Sequence, residues 1–408
     1  MAYLTGQIEQ GWCKPGKYLG NGVYECSPEL SELHRINKNF NDCHMWHTKI
    51  VGKKGEKVTI RLNWHPFIPQ EVSEEYKNWD SYSTDWPNFF DTVPELIYYS
   101  TDQKNWTRLE NVIREDYTLI INVELTQNVC YLCSTLYYTV AMFEELKEIA
   151  QKSPDIEMIN LGVGWNGDDL YTFVATDKSV PASEKKTIYF QGAQHCQEHP
   201  GIYVCDNMLR YLAQDTDEVR KILKKFIFRI TPIVDIAGWR SGSETHPMRT
   251  TTVGYNYNRD WDKFEFPEVK LIADYLLKLK EEGENIVFLA DVHGGLGDER
   301  DYVSGASIAF DSRSDEELIE KQKHFIDMVR QECDYLNPQE TNYFIYPHND
   351  AMFTTFANNN IGPGYTFEVS YSKIWDREKG KRFPNTQKTL KRFSEQLINV
   401  IVKLESEE

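Results

Sequence analysis

The chain has 408 residues, 45 basic against 63 acidic, and a net charge of −18. That balance disfavours nucleic acid or an anionic membrane as partner, because both need a basic face. Apolar residues make up 40% and aromatic ones 13%, which excludes a disordered chain and allows two sizeable cores.

The first residues, MAYLTGQIEQGW, have no basic segment followed by an apolar one, so no signal peptide is expected. No apolar run reaches the roughly 18 residues a membrane helix needs. The eight cysteines are scattered at positions 13, 26, 43, 130, 133, 196, 205 and 333. That spacing reads as reduced thiols and a cytoplasmic setting rather than a disulfide framework. Cys130 and Cys133 form a lone CxxC, too few ligands for a structural zinc.

Residues 1–133 read as a β-sandwich domain. Strands are expected at 45–51, 57–64, 95–100 and 117–125, where β-branched and aromatic residues alternate, as in Val58-Thr59-Ile60-Arg61-Leu62. Turn signals separate them at Gly52-Lys53-Lys54-Gly55, Asp102-Gln103-Lys104-Asn105 and 66–69. Short, regularly spaced strands point to an antiparallel sandwich. Its Trp and Tyr residues would serve either core packing or a ligand surface.

Residues 134–408 read as an α/β domain with a mixed central sheet. A helix over 140–151 carries Phe143, Leu146 and Ile149 at helical spacing. Strands at 156–163 and 170–175 flank the turn Trp165-Asn166-Gly167-Asp168. Further strands are expected around Ile188 and at 226–234, 285–290 and 365–369. Helices are expected at 201–213, 269–280, 316–332 and 385–403.

The chemistry starts in the stretch TIYFQGAQHCQEHPGIYVCDN, residues 187–207. An apolar strand runs into His195-Cys196-Gln197-Glu198-His199, and Pro200 suits the first position of the helix that follows. The carboxyl end of a strand is where open α/β sheets build sites. Two readings compete. In HxxEH, both histidines bind zinc from one helix face, with the glutamate as base. In HxxE, His195 and Glu198 are both ligands and a third comes from far away. Pro200 and the preceding strand argue against a helix interior and favour HxxE.

The strand 286–292 runs into His293-Gly294-Gly295, which makes His293 the natural third ligand. Tyr365-Thr366-Phe367 runs into Glu368, a carboxylate on the same rim and free to activate water at the metal. Between the HxxE turn and His293 lie Arg249 and Asn258-Arg259, with guanidiniums able to bind a carboxylate or stabilise an oxyanion.

The order HxxE, Arg, Asn-Arg, His, Glu resembles the zinc carboxypeptidases related to carboxypeptidase A, and most of all the cytosolic carboxypeptidase subgroup. The features that carry the likeness are Asp291-Val-His293-Gly-Gly, the short segment from Arg249 to Asn258, Thr366-Phe-Glu368-Val, and a β domain with Tyr137-Tyr138-Thr139 before the peptidase domain. The resemblance implies one zinc ion held by His195, Glu198 and His293. It implies Glu368 as general base and then acid, and Arg249 on the scissile carbonyl and its oxyanion. It implies Asn258 and Arg259 as clamp for the terminal carboxylate of a peptide or protein, and Tyr346 (with Tyr343 as the alternative) as active-site tyrosine. It also implies removal of glutamates, with Arg300 as a candidate cation, although a surface at −18 would repel acidic tails. Two departures touch local geometry: His199-Pro-Gly follows the glutamate, and Val234-Asp235-Ile236-Ala237-Gly238 replaces an Asn-Pro-Asp-Gly turn. The alternatives are a zinc amidohydrolase acting on N-acyl amino acids or cell-wall peptides, which would not need the Asn258-Arg259 clamp, and a non-enzymatic binding protein using the aromatic β domain.

Overall fold

The computed structural model describes residues 2–11, 13–28, 46–63, 97–116, 118–134, 136–196, 198–241, 256–295, 306–311, 316–334, 336–337, 343–346, 350–370 and 373–407. They fall into two compact units, Met1–Ala141 with Gly238–Arg249, and Met142–Ala237 with Thr250–Glu408.

The first unit contains strands β1 (Tyr3–Thr5), β2 (Lys17–Gly20), β3 (Val23–Cys26), β4 (His47–Val51), β5 (Lys57–Asn63), β6 (Tyr98–Ser100), β7 (Thr107–Arg108), β8 (Val112–Glu115), β9 (Thr118–Glu124) and β10 (Val129–Cys133). They form two five-stranded sheets, ordered β1-β4-β10-β6-β7 and β2-β3-β5-β9-β8. All pairings are antiparallel except β3 with β5, which run parallel. Alternation explains β5: Val58, Ile60 and Leu62 point inward and the residues between them are half-exposed. Opposite them on β9 stand Val123, Ile121 and Leu119. These side chains share one apolar cluster with Leu4, Ile50, Cys130 and Leu132 from the other sheet, so the two sheets close over a common core. Fully burying each such side chain is worth about 1.5–3 kcal/mol. Within this unit, Gln10 Nε2 donates to the Trp239 carbonyl at 3.2 Å, and Trp239 Nε1 donates to the Tyr138 carbonyl at 3.0 Å. These bonds tie the segment that starts at Gly238 to the rest of the unit.

The expected strand at 45–51 is β4, that at 57–64 is β5, that at 95–100 is the shorter β6, and that at 117–125 is β9. The turn expected at 66–69 lies outside the described residues. Strands β1–β3, β7 and β8 are short, and β10 holds the CxxC in extended backbone. An odd spacing in a strand sends Cys130 and Cys133 to opposite faces, which is incompatible with chelating one ion. The described cysteines are all buried free thiols.

In the rest of the chain the described helices are α1 (Val140–Lys152), α2 (His199–Leu212), α3 (Asp217–Lys225), α4 (Ile236–Ser241), α5 (Pro267–Glu281), α6 (Glu316–Glu332), α7 (Phe353–Asn360) and α8 (Gln387–Glu407). The strands are β11 (Ile156–Val163), β12 (Asp169–Ala175), β13 (Lys186–Gly192), β14 (Phe226–Thr231), β15 (Ile286–Gly295), β16 (Ala306–Asp311), β17 (Tyr343–Tyr346), β18 (Gly364–Ser370), β19 (Lys373–Asp376) and β20 (Lys381–Pro384). In the second unit an eight-stranded mixed sheet runs β11-β12-β14-β13-β15-β18-β16-β17. Its centre, β14-β13-β15-β18, is parallel. Parallel strands are covered on both faces, which is why β13 is apolar and almost wholly buried. On one face Tyr189 and Leu289 pack against Val269, Ile272 and Leu276 of α5 and Phe353 of α7. On the other, Phe288 stacks on Tyr365 with centroids 4.4 Å apart, and Phe325 of α6 meets Phe288 edge-on at 5.0 Å.

Helix α3 was not among the expected elements, yet it carries its own signals. Thr216 accepts a bond from the Val219 N–H, acidic Asp217 and Glu218 open it, and Lys224 and Lys225 close it. Strand β15 continues past the expected 285–290, so His293, Gly294 and Gly295 are still paired, opposite Glu368, Val369 and Ser370 of β18.

Candidate metal centre

The site is built where β13 ends. Gly192 gives its carbonyl to the Val234 N–H and Ala193 gives its carbonyl to the Asp235 N–H, at 2.9 and 2.8 Å. Ala193 has φ +51°, a left-handed conformation uncommon for a residue with a Cβ. It turns the chain out of the sheet into Gln194 and His195. The Glu198 N–H then bonds the His195 carbonyl at 3.0 Å, and the Gly201 N–H bonds the Glu198 carbonyl at 3.1 Å. This tight turn sets His195 Nδ1 2.9 Å from Glu198 Oε1.

Helix α2 begins at His199, with Glu198 as its cap and Pro200 second in the helix, where no N–H is required. His195 therefore lies outside the helix and cannot share a helical face with His199, as the HxxEH reading requires.

The third member comes from β15. His293 Nδ1 lies 2.6 Å from the other Glu198 oxygen, Oε2. Helix α2 is held against β15 at this point by Gly201, where a Cβ would sit 2.1 Å from the Val292 carbonyl oxygen. His195, Glu198 and His293 each offer a ligand atom, all within 4.8 Å of one another, and they are the one such group among the described residues. Two imidazole nitrogens around a carboxylate form a donor set suited to a divalent zinc ion.

The electrostatics fit a cation. Burial works against a charge on Glu198, but His195 and His293 on either side overcome it and hold the carboxyl well below its usual range. Burial likewise opposes the imidazolium forms, and carboxylates overcome it: Glu198 for His195, Asp291 and Glu198 for His293, so both histidines are raised.

Glu368 occupies β18 directly opposite His293, and paired residues share a face of the sheet. Burial first, then the neighbouring Glu198, push its carboxyl up to about 7, against the lowering effect of the histidines. Asn258 and Arg259 lie in a single 3₁₀ turn, Tyr257–Arg259. Asn258 Oδ1 accepts from the Phe353 N–H at 3.1 Å, and its Nδ2 is 3.3 Å from His293 Nε2. Arg259 gives one guanidinium N–H to the Asn258 carbonyl at 2.7 Å. Tyr343 and Tyr346 start and end β17, two strands from β18, and their side chains lie outside the described part. Arg249 and Arg300 lie outside the described residues.

Sequence reading missed the groups that hold the histidines. Asn256 Oδ1 lies 3.0 Å from His195 Nε2 and also accepts the Asn258 N–H at 2.9 Å. Asp291 Oδ2 lies 2.6 Å from His293 Nε2. The alternation of Asp291 and His293 along one strand was the available signal, since residues two apart face the same way. Nothing in the sequence pairs Asn256 with His195.

Residues 142–399 match the family model for zinc carboxypeptidases. The chain belongs to the zinc carboxypeptidase family. Its cofactor in that family is zinc, and the His195–Glu198–His293 group fits one ion. Cytosolic carboxypeptidase 6 from Mus musculus is 22% identical over 249 residues, 57% of this chain and 44% of that protein. Cytosolic carboxypeptidase 6 from Homo sapiens is 20% identical over 337 residues, 76% of this chain and 64% of that protein. The chain thus spans about half to two-thirds of the length of these curated relatives. A metallo-carboxypeptidase from Burkholderia cenocepacia has the same fold over 100% of this chain and 99% of its own, with TM-score 0.74 and 15% identity. Among the described residues, no helix is long and apolar enough to cross a membrane.

Proposed function

We propose that this zinc carboxypeptidase family member is an active metallocarboxypeptidase that hydrolyses C-terminal peptide bonds. The observation that carries this reading is a half-buried glutamate, Glu368, opposite His293 of a group with zinc-ligand chemistry. In this reading His195, Glu198 and His293 hold one zinc ion. Zinc supplies Lewis acidity toward a carbonyl oxygen and toward water.

Glu368 is the proton carrier. A carboxyl near 7 takes a proton from water and returns it to the leaving amine at physiological pH. Arg249 stabilises the developing oxyanion. Asn258 and Arg259 bind the terminal carboxylate, and the position of Asn258 beside His293 supports a substrate end close to the donor group. Tyr346 completes the substrate side. We also propose that the enzyme removes glutamates from peptide or protein C-termini in the cytoplasm, with Arg300 reading the side chain. The similarity to cytosolic carboxypeptidases supports this finer reading.

The test is incubation with a mixture of short peptides of differing C-termini, with and without a zinc chelator, followed by mass spectrometry. Chelator-sensitive loss of single C-terminal residues is expected, and the residues lost name the specificity. No loss from protein with zinc bound would overturn the carboxypeptidase reading.

A further inference from the structure

Three buried side chains, Asp291, Gln191 and Gln194, converge behind His293. Asp291 is fully buried, two residues before His293 on the same face of β15. Its Oδ2 is 2.6 Å from His293 Nε2 and also accepts a bond from Gln194 Nε2. Its Oδ1 accepts from Gln191 Nε2 at 3.2 Å.

Each glutamine is itself oriented. Trp261 Nε1 donates to Gln194 Oε1 at 2.7 Å, and an indole N–H can only donate. That fixes which end of Gln194 is oxygen and turns its NH₂ toward Asp291. The Tyr189 hydroxyl donates to Gln191 Oε1 at 3.1 Å and turns that NH₂ the same way. Asp291 thus sits where two amide NH₂ groups point and where His293 Nε2 approaches. A carboxylate only accepts, so it satisfies both amides, whereas an amide there would set NH₂ against NH₂.

We propose that Asp291 is a positioning residue for the metal: it keeps a proton on His293 Nε2, so that Nδ1 presents its lone pair beside Glu198. This rests on the zinc reading of the site. Asn258 Nδ2, 3.3 Å from the same Nε2, is the competing partner. With a lone pair on Nε2, two acceptors would face each other at 2.6 Å; a proton between them makes a charge-assisted bond instead. The shorter contact decides the tautomer. His195 is fixed by the same logic but on a neutral partner, the Asn256 amide oxygen at 3.0 Å. A carboxylate behind an imidazole also raises its basicity as a ligand. The two ligand histidines are therefore unequal, and the charge behind His293 controls metal affinity.

The test uses the full chain with Asp291→Asn alone and Asp291→Asn combined with Gln194→Glu. The double variant restores an amide–carboxylate pair between the two positions and keeps an acceptor for Trp261, so it is read if the single variant fails to fold. Zinc dissociation constants come from competition with a chromophoric chelator, and the visible spectrum of the cobalt(II)-loaded protein reports ligand geometry. Zinc binding about 10–100-fold weaker, with a shifted cobalt spectrum, is expected in both. Asn256→Ala should lose less. Unchanged zinc affinity and an unchanged cobalt spectrum in a folded Asp291 variant would overturn the proposal and leave the zinc reading standing. Failure of the unmutated protein to bind zinc would instead remove the zinc reading, and this proposal with it.

Discussion

Replacing Gly201 with alanine tests whether the contact between helix and strand sets the metal centre. The added Cβ would lie 2.1 Å from the Val292 carbonyl oxygen, 3.0 Å from its carbon and 3.6 Å from its Cβ. Ordinary contact begins at 3.4 Å, so the carbonyl oxygen is about 1.3 Å too close. Neither side can swing away by a rotamer change. Gly201 lies in the first turn of α2, and Val292 is paired with Gly192 on one side and Phe367 on the other. The helix must move off the strand by about 1 Å, and overpacking of this kind costs about 1–3 kcal/mol. Glu198 lies three residues before Gly201, and His293 directly follows Val292. The same displacement therefore opens the 2.6 Å approach of Glu198 to His293. A misplacement of about 1 Å at a reacting centre can lower turnover by about 10²-fold. Thermal unfolding and zinc competition on Gly201→Ala should show a lower midpoint and weaker zinc binding together. Wild-type values for both would refute the idea that this close approach fixes the donor spacing. A lower midpoint with wild-type zinc affinity would refute the link to the site alone.

Glu368→Gln should fold and bind zinc but lose about 10²–10⁴-fold in turnover, the range for a general base or acid; full activity would exclude that role. Arg259→Ala should weaken binding of peptides with free C-termini much more than of C-terminal amides, measured by inhibition, and equal losses would exclude the carboxylate clamp. His47 reports on the β unit. Burial pushes its imidazole down to about 4 from 6.5, against a hydrogen bond to the Gln10 carbonyl. A lowered value contributes stability that is present above pH 6.5 and lost as pH falls toward 4, about 3 kcal/mol in all. His47→Gln keeps a donor for Gln10 and removes the titration. Urea unfolding between pH 7 and 4.5 should show a shallower fall in stability for the variant, and parallel falls would refute the assignment.

Much of the donor group was legible because its pieces are local. His195 and Glu198 are three residues apart in one turn, and a proline at the second helical position marks where that turn stops. His293 and Glu368 each stand near the carboxyl end of a largely apolar parallel strand, a pattern that buried strands impose on any sequence. The β unit was less legible. Strands as short as Thr107–Arg108 or Tyr3–Thr5 leave no period to read, and the parallel β3–β5 pairing joins residues that only the folded sheet brings together. Helix α3 is short and highly charged, so its caps spoke more clearly than its apolar stripe.

By itself the sequence determined the donor types, the turn that joins two of them, and the strands that carry the others. Local chemistry decides these, through proline, alternation and the reach of three or four residues. The tertiary structure decided that both imidazoles turn Nδ1 toward Glu198: Asn256 takes up the Nε2 of His195 from a distant segment, and Asp291 takes up that of His293 from the same strand. It alone decided that Gln191, Gln194 and Trp261 serve Asp291, across sequence gaps as large as 100 residues. Hydrogen bonds of that span depend on sheet register and on the close approach at Gly201, and neither is written in any short stretch of chain.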